Sequence, residues 1–151
     1  MTPEASLDIP AVLRSVGLRV TTPRVAVLSE IAAGEHLTAE QVAAGVRGRV
    51  GSISTQAAYD VLAALTRAGL LRRIEPAGSA TRYETRVGDN HHHAVCRGCG
   101  AIADLDCVVG DPPCLTPAQT RGFVIDEAEI TFWGTCPTCQ SAAPEPETKE
   151  S

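Results

Sequence analysis

Two Cys-x-x-Cys pairs, Cys96/Cys99 and Cys136/Cys139, constrain this chain more than any other feature. Four thiolates at that spacing can enclose one tetrahedral zinc ion. Both sulfurs of a pair reach one ion only where the backbone turns tightly between them. Gly98 and Gly100 permit that turn in the first pair, and Pro137 pre-sets it in the second. Thirty-six residues separate the pairs, more than a compact zinc ribbon spends, so the ion would tie the first strand of a domain to its C-terminal end. With one Trp, two Tyr and two Phe among 151 residues, a small domain here is short of large apolar side chains and has reason to use such a staple. The same pairs could instead cycle as disulfides. A catalytic zinc keeps an open position, which four thiolates do not leave. A zinc deaminase would also need a His-x-Glu motif ahead of Pro-Cys-x-x-Cys. The chain has no His-x-Glu, and Thr135 precedes Cys136, so a zinc hydrolase or any other enzyme is a weak reading. Cys107 and Cys114 read as ordinary thiols, because nothing basic stands near enough to depress their pKa.

The net charge of −5 argues against a nucleic-acid partner only until it is divided. Residues 1–86 hold ten Arg and eight Asp/Glu, a balance of +2, and residues 87–151 hold three Lys/Arg and ten Asp/Glu, a balance of −7. The basic half is basic through arginine alone, the cation suited to phosphates and base edges. A solvated surface would give the same charge. No apolar run approaches the ~20 residues of a membrane span, and no charged segment followed by an apolar one marks a secretory signal. The chain is expected in the cytoplasm without a membrane partner, where paired cysteines favour metal over disulfide.

The first half is punctuated as helices. Asp8 caps a short one with Pro10 in its first turn, and Gly17 ends it. Thr22 then Pro23 reads as an N-cap followed by a proline at the first helical position, with Val27, Leu28 and Ile31 as the buried stripe. Thr38-Ala-Glu-Gln41 is a capping box that opens a third helix ending near Gly48. Ser54 caps a fourth, with Ala58, Val61, Leu62 and Leu65 at helical period and Gly69 at its C-terminal turn. Short strand candidates at 70–74 and 81–84 flank Pro76-Ala-Gly-Ser79, a hairpin signal. Short helices followed by a β-hairpin describe a winged helix-turn-helix, with the fourth helix entering a major groove near its N-terminus. A small helical domain with an incidental hairpin fits the pattern too. After the linker at 87–90, strands are expected at 93–96, 101–105 and 124–133, with a brief helix capped by Thr116. The final residues, rich in Glu, Pro and Ala, cannot bury a core.

His91, His92 and His93 open a strand candidate, so His91 and His93 point one way and His92 the other. Two imidazoles on one face can share a metal. Further ligands must come from elsewhere, and Asp104, His36 and Glu84 are candidates. On spacing alone a solvated histidine cluster is as open as a metal site, and a surface or capping role for His36 is favoured.

From about Leu13 to Cys139 the chain resembles the ferric uptake regulator family of metal-dependent repressors. The resemblance rests on Gly17-Leu-Arg-Val-Thr-Thr-Pro-Arg24, His36-Leu-Thr-Ala39, Ile53-Ser-Thr-Gln-Ala-Ala-Tyr59, Arg82-Tyr-Glu84, His91-His-His-Ala-Val-Cys-Arg-Gly-Cys-Gly100, Asp104 and Gly134-Thr-Cys-Pro-Thr-Cys139. Within the family, the recognition segment resembles the actinobacterial branch that represses catalase-peroxidase genes, which is similar in logic to the PerR peroxide sensors. The resemblance implies an α+β fold, with an N-terminal winged helix-turn-helix domain and a small α/β dimerisation domain carrying a four-cysteine zinc site. It implies a DNA-binding domain over 1–86, a hinge at 87–91, a dimerisation domain over 92–140 and a disordered tail at 141–151. It places one structural Zn(2+) per subunit on Cys96, Cys99, Cys136 and Cys139, and a regulatory Fe(2+) or Mn(2+) on His36, Glu84, His91, His93 and Asp104. Glu84 stands where PerR proteins carry Asp, and the linker has one extra residue before His91. Asn90 and Glu127 stand where some members have the histidines of a third metal site, although His92 and Asp111 lie near its other positions. Asp60 follows Tyr59 where many members have Arg, which leaves room for an operator other than the usual iron box.

The resemblance thus implies a homodimeric, peroxide-sensing repressor of catalase or other oxidative-stress genes, bound to a double-stranded DNA operator. Ser54, Thr55, Gln56 and Tyr59 would face the bases, and Arg19 and Arg24 the phosphates. A metal shared between the two domains would select the conformer that fits successive major grooves, and peroxide oxidation of His36 or His91 would release it. A zinc-thiolate redox switch and an iron-uptake repressor are the alternatives.

Overall fold

A computed structural model describes residues 7–88, 91–106, 117–126 and 128–142. The chain divides into two compact units, Met1–Gly88 and Asp89–Ser151.

The first unit runs α1 (Ile9–Ser15), α2 (Thr22–Ala33), β1 (Leu37–Thr38), α3 (Ala39–Val50), α4 (Thr55–Arg67), β2 (Arg72–Ile74) and β3 (Arg82–Glu84). Side-chain caps set the helix starts. Asp8 accepts from the Ala11 N–H, and Ser54 from the Ala57 N–H. Thr38 and Gln41 cap each other reciprocally at 2.9 and 3.2 Å. Helix α2 is capped by Thr21, one residue before the expected Thr22, so Pro23 takes the second helical position. The two threonines are chemically equivalent caps, and only the backbone decides between them. Helix α4 ends in a Schellman motif. Gly69 adopts φ +78°, its N–H donates to Thr66 O, and the Leu70 N–H reaches Leu65 O, which satisfies carbonyls the helix would leave bare.

The stripes of these helices meet in one core. Leu13, Val27, Ile31, Val42, Val46, Leu62 and Leu65 lie fully inside it. Helices α3 and α4 with the short 51–54 link form the helix-turn-helix, and β2 and β3 form the wing. Strand β1 adds a third, antiparallel strand on the far side of β3, in the order β1-β3-β2, with Leu37 opposite Tyr83.

The second unit holds β4 (His91–Cys96), β5 (Ile102–Asp106), β6 (Thr131–Gly134) and α5 (Pro137–Ala142). Strand β4 is central, antiparallel to β5 and parallel to β6. Strand β4 starts two residues earlier than expected, and the strand expected over 124–133 pairs only at its end, because β6 partners β4 from His93 to Cys96 alone. Helix α5 was not anticipated, although Pro137 suits a first helical position. The expected cap Thr116, the leftover Cys107 and Cys114, and Asn90, Asp111 and Glu127 lie outside the described residues. Among the described residues no helix is long and apolar enough to cross a membrane.

Candidate functional site

The cysteines of the two pairs converge in the second unit. Cys96 ends β4, and a tight turn closed by the Gly100 N–H on Cys96 O at 2.9 Å brings Cys99 back beside it. Cys136 and Cys139 lie at the start of α5. The Arg97 N–H donates to Gly134 O at 2.9 Å, which holds the two knuckles together. Gly98 matters for a reason its turn does not reveal. A Cβ there would come within 3.1 Å of Cys139 Sγ, so the missing side chain lets the second pair approach the first.

The four sulfurs all lie within 4.8 Å of one another, with Cys99 Sγ 3.6 Å from Cys136 Sγ. Sulfurs at the corners of a tetrahedron around zinc would be about 3.8 Å apart, given a Zn–S bond of ~2.3 Å. The set therefore fits a thiolate-bound zinc. Its electrostatics are uneven. Backbone N–H groups of Cys136 and Cys99 point at Cys96 Sγ and bring its pKa down to about 6. Cys139 is pushed up to about 12 by thiol hydrogen bonding with Cys136 first, then Cys96 and Cys99. A metal entering the cluster would displace the protons those sulfurs share.

The histidine run divides as strand alternation requires. The His91 and His93 rings are 4.9 Å apart, edge to face. The β4–β5 register sets His93 opposite Asp104, whose Oδ1 is 3.3 Å from His93 Nε2 and 3.6 Å from His91 Nε2. His92 faces the other way, and its Nδ1 accepts from the Ile130 N–H. All three imidazoles are buried.

In the first unit, His36 and Glu84 form a second imidazole–carboxylate group, here with both partners buried, and His36 Nε2 is 3.1 Å from Glu84 Oε2. The β1–β3 pairing brings them together, since Leu37 pairs with Tyr83 and the next step of the antiparallel register sets position 36 against 84. His36 has φ +57°, an uncommon backbone state for a residue with a side chain, of the kind that gathers at functional sites. Arg82 Nη1 donates to the His36 carbonyl and braces it.

Of the residues expected to read DNA, Ser54, Thr55, Gln56 and Tyr59 lie at the start of α4 and Arg19 and Arg24 around the start of α2, and most are already engaged. Ser54 spends its hydroxyl as the α4 cap. Thr55 Oγ1 accepts from Arg47 Nη2, and Arg47 Nε donates to Ile53 O. Arg47 thereby braces the turn between α3 and α4, a role that nothing in its spacing announces. Gln56 Nε2 donates to Asp60 Oδ1 at 2.9 Å. Tyr59 donates its hydroxyl proton to Glu40 at 3.1 Å, which raises the tyrosine pKa. Arg24 Nη1 reaches back to Arg19 O at 3.0 Å, and the Arg19 side chain is exposed.

A family model described as the ferric uptake regulator family matches residues 15–132. The chain belongs to the ferric uptake regulator family. It is 56% identical over 132 residues to the transcriptional regulator FurA of Mycobacterium tuberculosis, covering 87% of this chain and 90% of that protein. It is 55% identical over 134 residues to ferric uptake regulation protein 1 of Mycolicibacterium fortuitum, covering 89% and 83%. Among solved structures, the ferric uptake regulator of Vibrio cholerae superposes with a TM-score of 0.66 at 22% identity, over 85% of this chain and all of that one. That likeness supports the fold of a winged helix-turn-helix joined to a dimerisation domain. Members of the ferric uptake regulator family are DNA-binding dimers. As one of them, this chain is a metal-dependent transcriptional regulator and not an enzyme.

Proposed function

We propose that this regulator is a peroxide-sensing repressor of catalase or other oxidative-stress genes, working as a homodimer on a double-stranded operator. Residues 1–86 would bind DNA and residues 92–140 would join the subunits. Phe123, Val124 and Phe132, exposed in the single chain, offer apolar surface for the partner. Zinc on Cys96, Cys99, Cys136 and Cys139 would be structural.

The observation that carries the reading is the occurrence of two imidazole–carboxylate groups, buried His36 with buried Glu84, and buried His91 and His93 with the partly exposed Asp104. Two imidazoles and one carboxylate are a donor set suited to Fe(II) with open positions, and added N/O donors suit Mn(II) as well. We read His36 and Glu84 as the donors that complete the set, so that one ion would tie the DNA-binding domain to the dimerisation domain. Moving a conformational equilibrium from 1:99 to 99:1 takes about 5.5 kcal/mol of differential affinity, within reach of a shared metal. Bound Fe(II) supplies the redox chemistry that splits peroxide. His36 and His91 would be among its donors, and transfer of one peroxide oxygen to either imidazole, with water leaving, would cost the ion a donor and free that domain.

The test loads the zinc protein with Fe(II) or Mn(II) and measures operator binding with and without peroxide. The Fe(II) form should lose DNA and carry one added oxygen on the His36 or His91 peptide, while the Mn(II) form stays bound. His36→Ala should lose metal-dependent binding and keep its zinc, and unchanged metal dependence in that variant would sink the shared ion. Zinc release with disulfide formation would point instead to a thiolate switch. A second reading, an iron-uptake repressor, is favoured by the ferric uptake regulation protein among the similar sequences. It requires that DNA binding follow free iron and ignore peroxide.

A further inference from the structure

The reading face of α4 carries a hydrogen bond whose consequence reaches the bases. Gln56 and Asp60 stand one turn apart, both exposed, with Gln56 Nε2 on Asp60 Oδ1 at 2.9 Å. A carboxylate only accepts, so the amide must turn its nitrogen to Asp60 and its oxygen away. An amide without such a neighbour has no reason to prefer either orientation. The bond also spends one of the two amide N–H groups. One carbonyl and one N–H are left to meet a base.

Adenine presents a matching pair in the major groove, the N6 amino donor and the N7 acceptor. Guanine presents two acceptors, N7 and O6, and asks for two donors. The held amide has one. Tyr59 does not supply the second, because its single hydroxyl proton is committed to Glu40 on the first turn of α3. A carboxylate on a face that approaches phosphates also weakens binding through like-charge repulsion, so Asp60 is costly there unless it does something for recognition.

We propose that Asp60 is a positioning residue for sequence readout, holding the Gln56 amide in the one orientation that accepts adenine and rejects guanine. This rests on α4 being the helix that reads DNA. In the simpler alternative, Gln56 and Asp60 are a solvated i, i+4 pair with no bearing on the operator.

The experiment uses the full chain loaded with zinc and Mn(II) to select duplexes from a randomised library. Each adenine of the selected half-site is then exchanged for guanine, and affinities are compared for wild type, Gln56→Ala, Asp60→Ala and Asp60→Asn. At one position per half-site, wild type should prefer adenine by about fivefold or more, the low end of what one bidentate pair discriminates. Gln56→Ala and Asp60→Ala should erase that ratio. Asp60→Asn, whose amide can donate as well as accept and so holds Gln56 in neither orientation, should lower it. A purely structural role would weaken both duplexes alike and leave the ratio intact. The proposal is overturned if Asp60→Ala or Asp60→Asn discriminates as wild type does, or if no adenine preference depends on Gln56. Failure of the wild type to select any duplex would instead remove DNA reading by α4, and this proposal with it.

Discussion

The two units of this chain are held together by different physics. The first packs Leu13, Val27, Leu28, Ile31, Leu62 and Leu65 into a continuous apolar core. In the second, Val95 and Cys96 are the buried apolar residues among those described, and three buried histidines stand beside them, while Phe123, Val124 and Phe132 face outward. Apolar burial stabilises the first in proportion to the area removed from water. The second has too little such area, and a metal held by its four sulfurs would take over the task. A domain built around ligands can therefore be small and still hold a strand register rigidly.

The largest effect should come from taking the ion away. Apparent binding free energies of structural zinc are ~10–16 kcal/mol in small domains, so strong chelation or Cys136→Ser should unfold the second unit and leave the first folded. Trp133, the sole tryptophan, lies in β6 with the Arg97 guanidinium 5.7 Å from its ring centre. Its fluorescence should shift on chelation while the far-UV helical signal, which comes mainly from α2, α3 and α4, persists. Loss of both signals together would break the comparison. Next in size, Leu62→Ala should destabilise the first unit by about 2–5 kcal/mol through the cavity it leaves, read as a lower melting temperature at unchanged zinc content. A fall in bound zinc would show that the units are not independent. Smallest, Gly69→Ala forces a side chain into the left-handed region and should cost about 1–2 kcal/mol. Calorimetry should place that loss in the same transition as Leu62→Ala, with Trp133 fluorescence unmoved.

What was legible in the sequence follows the range of each interaction. Thr38 with Gln41, Ser54 with Ala57 and Gly69 after α4 act within four residues, and their chemistry is written locally. The doubled Cys spacing and the alternation of His91, His92 and His93 were equally local. Strand β1 was not legible, because two residues become a strand only when Tyr83, far along the chain, pairs with Leu37. The strand expected from residue 124 was overextended for the same reason, since alternation marks a face and the partner β4 sets the length. Nor could spacing show that Gly98 is needed for the approach of Cys139, that Arg47 braces the turn before α4, or that His36 holds a left-handed backbone. Each depends on contacts between segments.

The parallel pairing of β4 with β6 has a consequence in time. A growing chain delivers Cys96 and Cys99 first, and thirty-six residues must follow before Cys136 appears. At ordinary elongation rates of ~5–20 residues per second, that interval is about 2–7 s. Throughout it the nascent polypeptide holds only half of the four-sulfur set, and no ion can be enclosed. The second unit thus stays without its staple until nearly the whole chain has been made, whereas the segments of the first unit's core are complete well before.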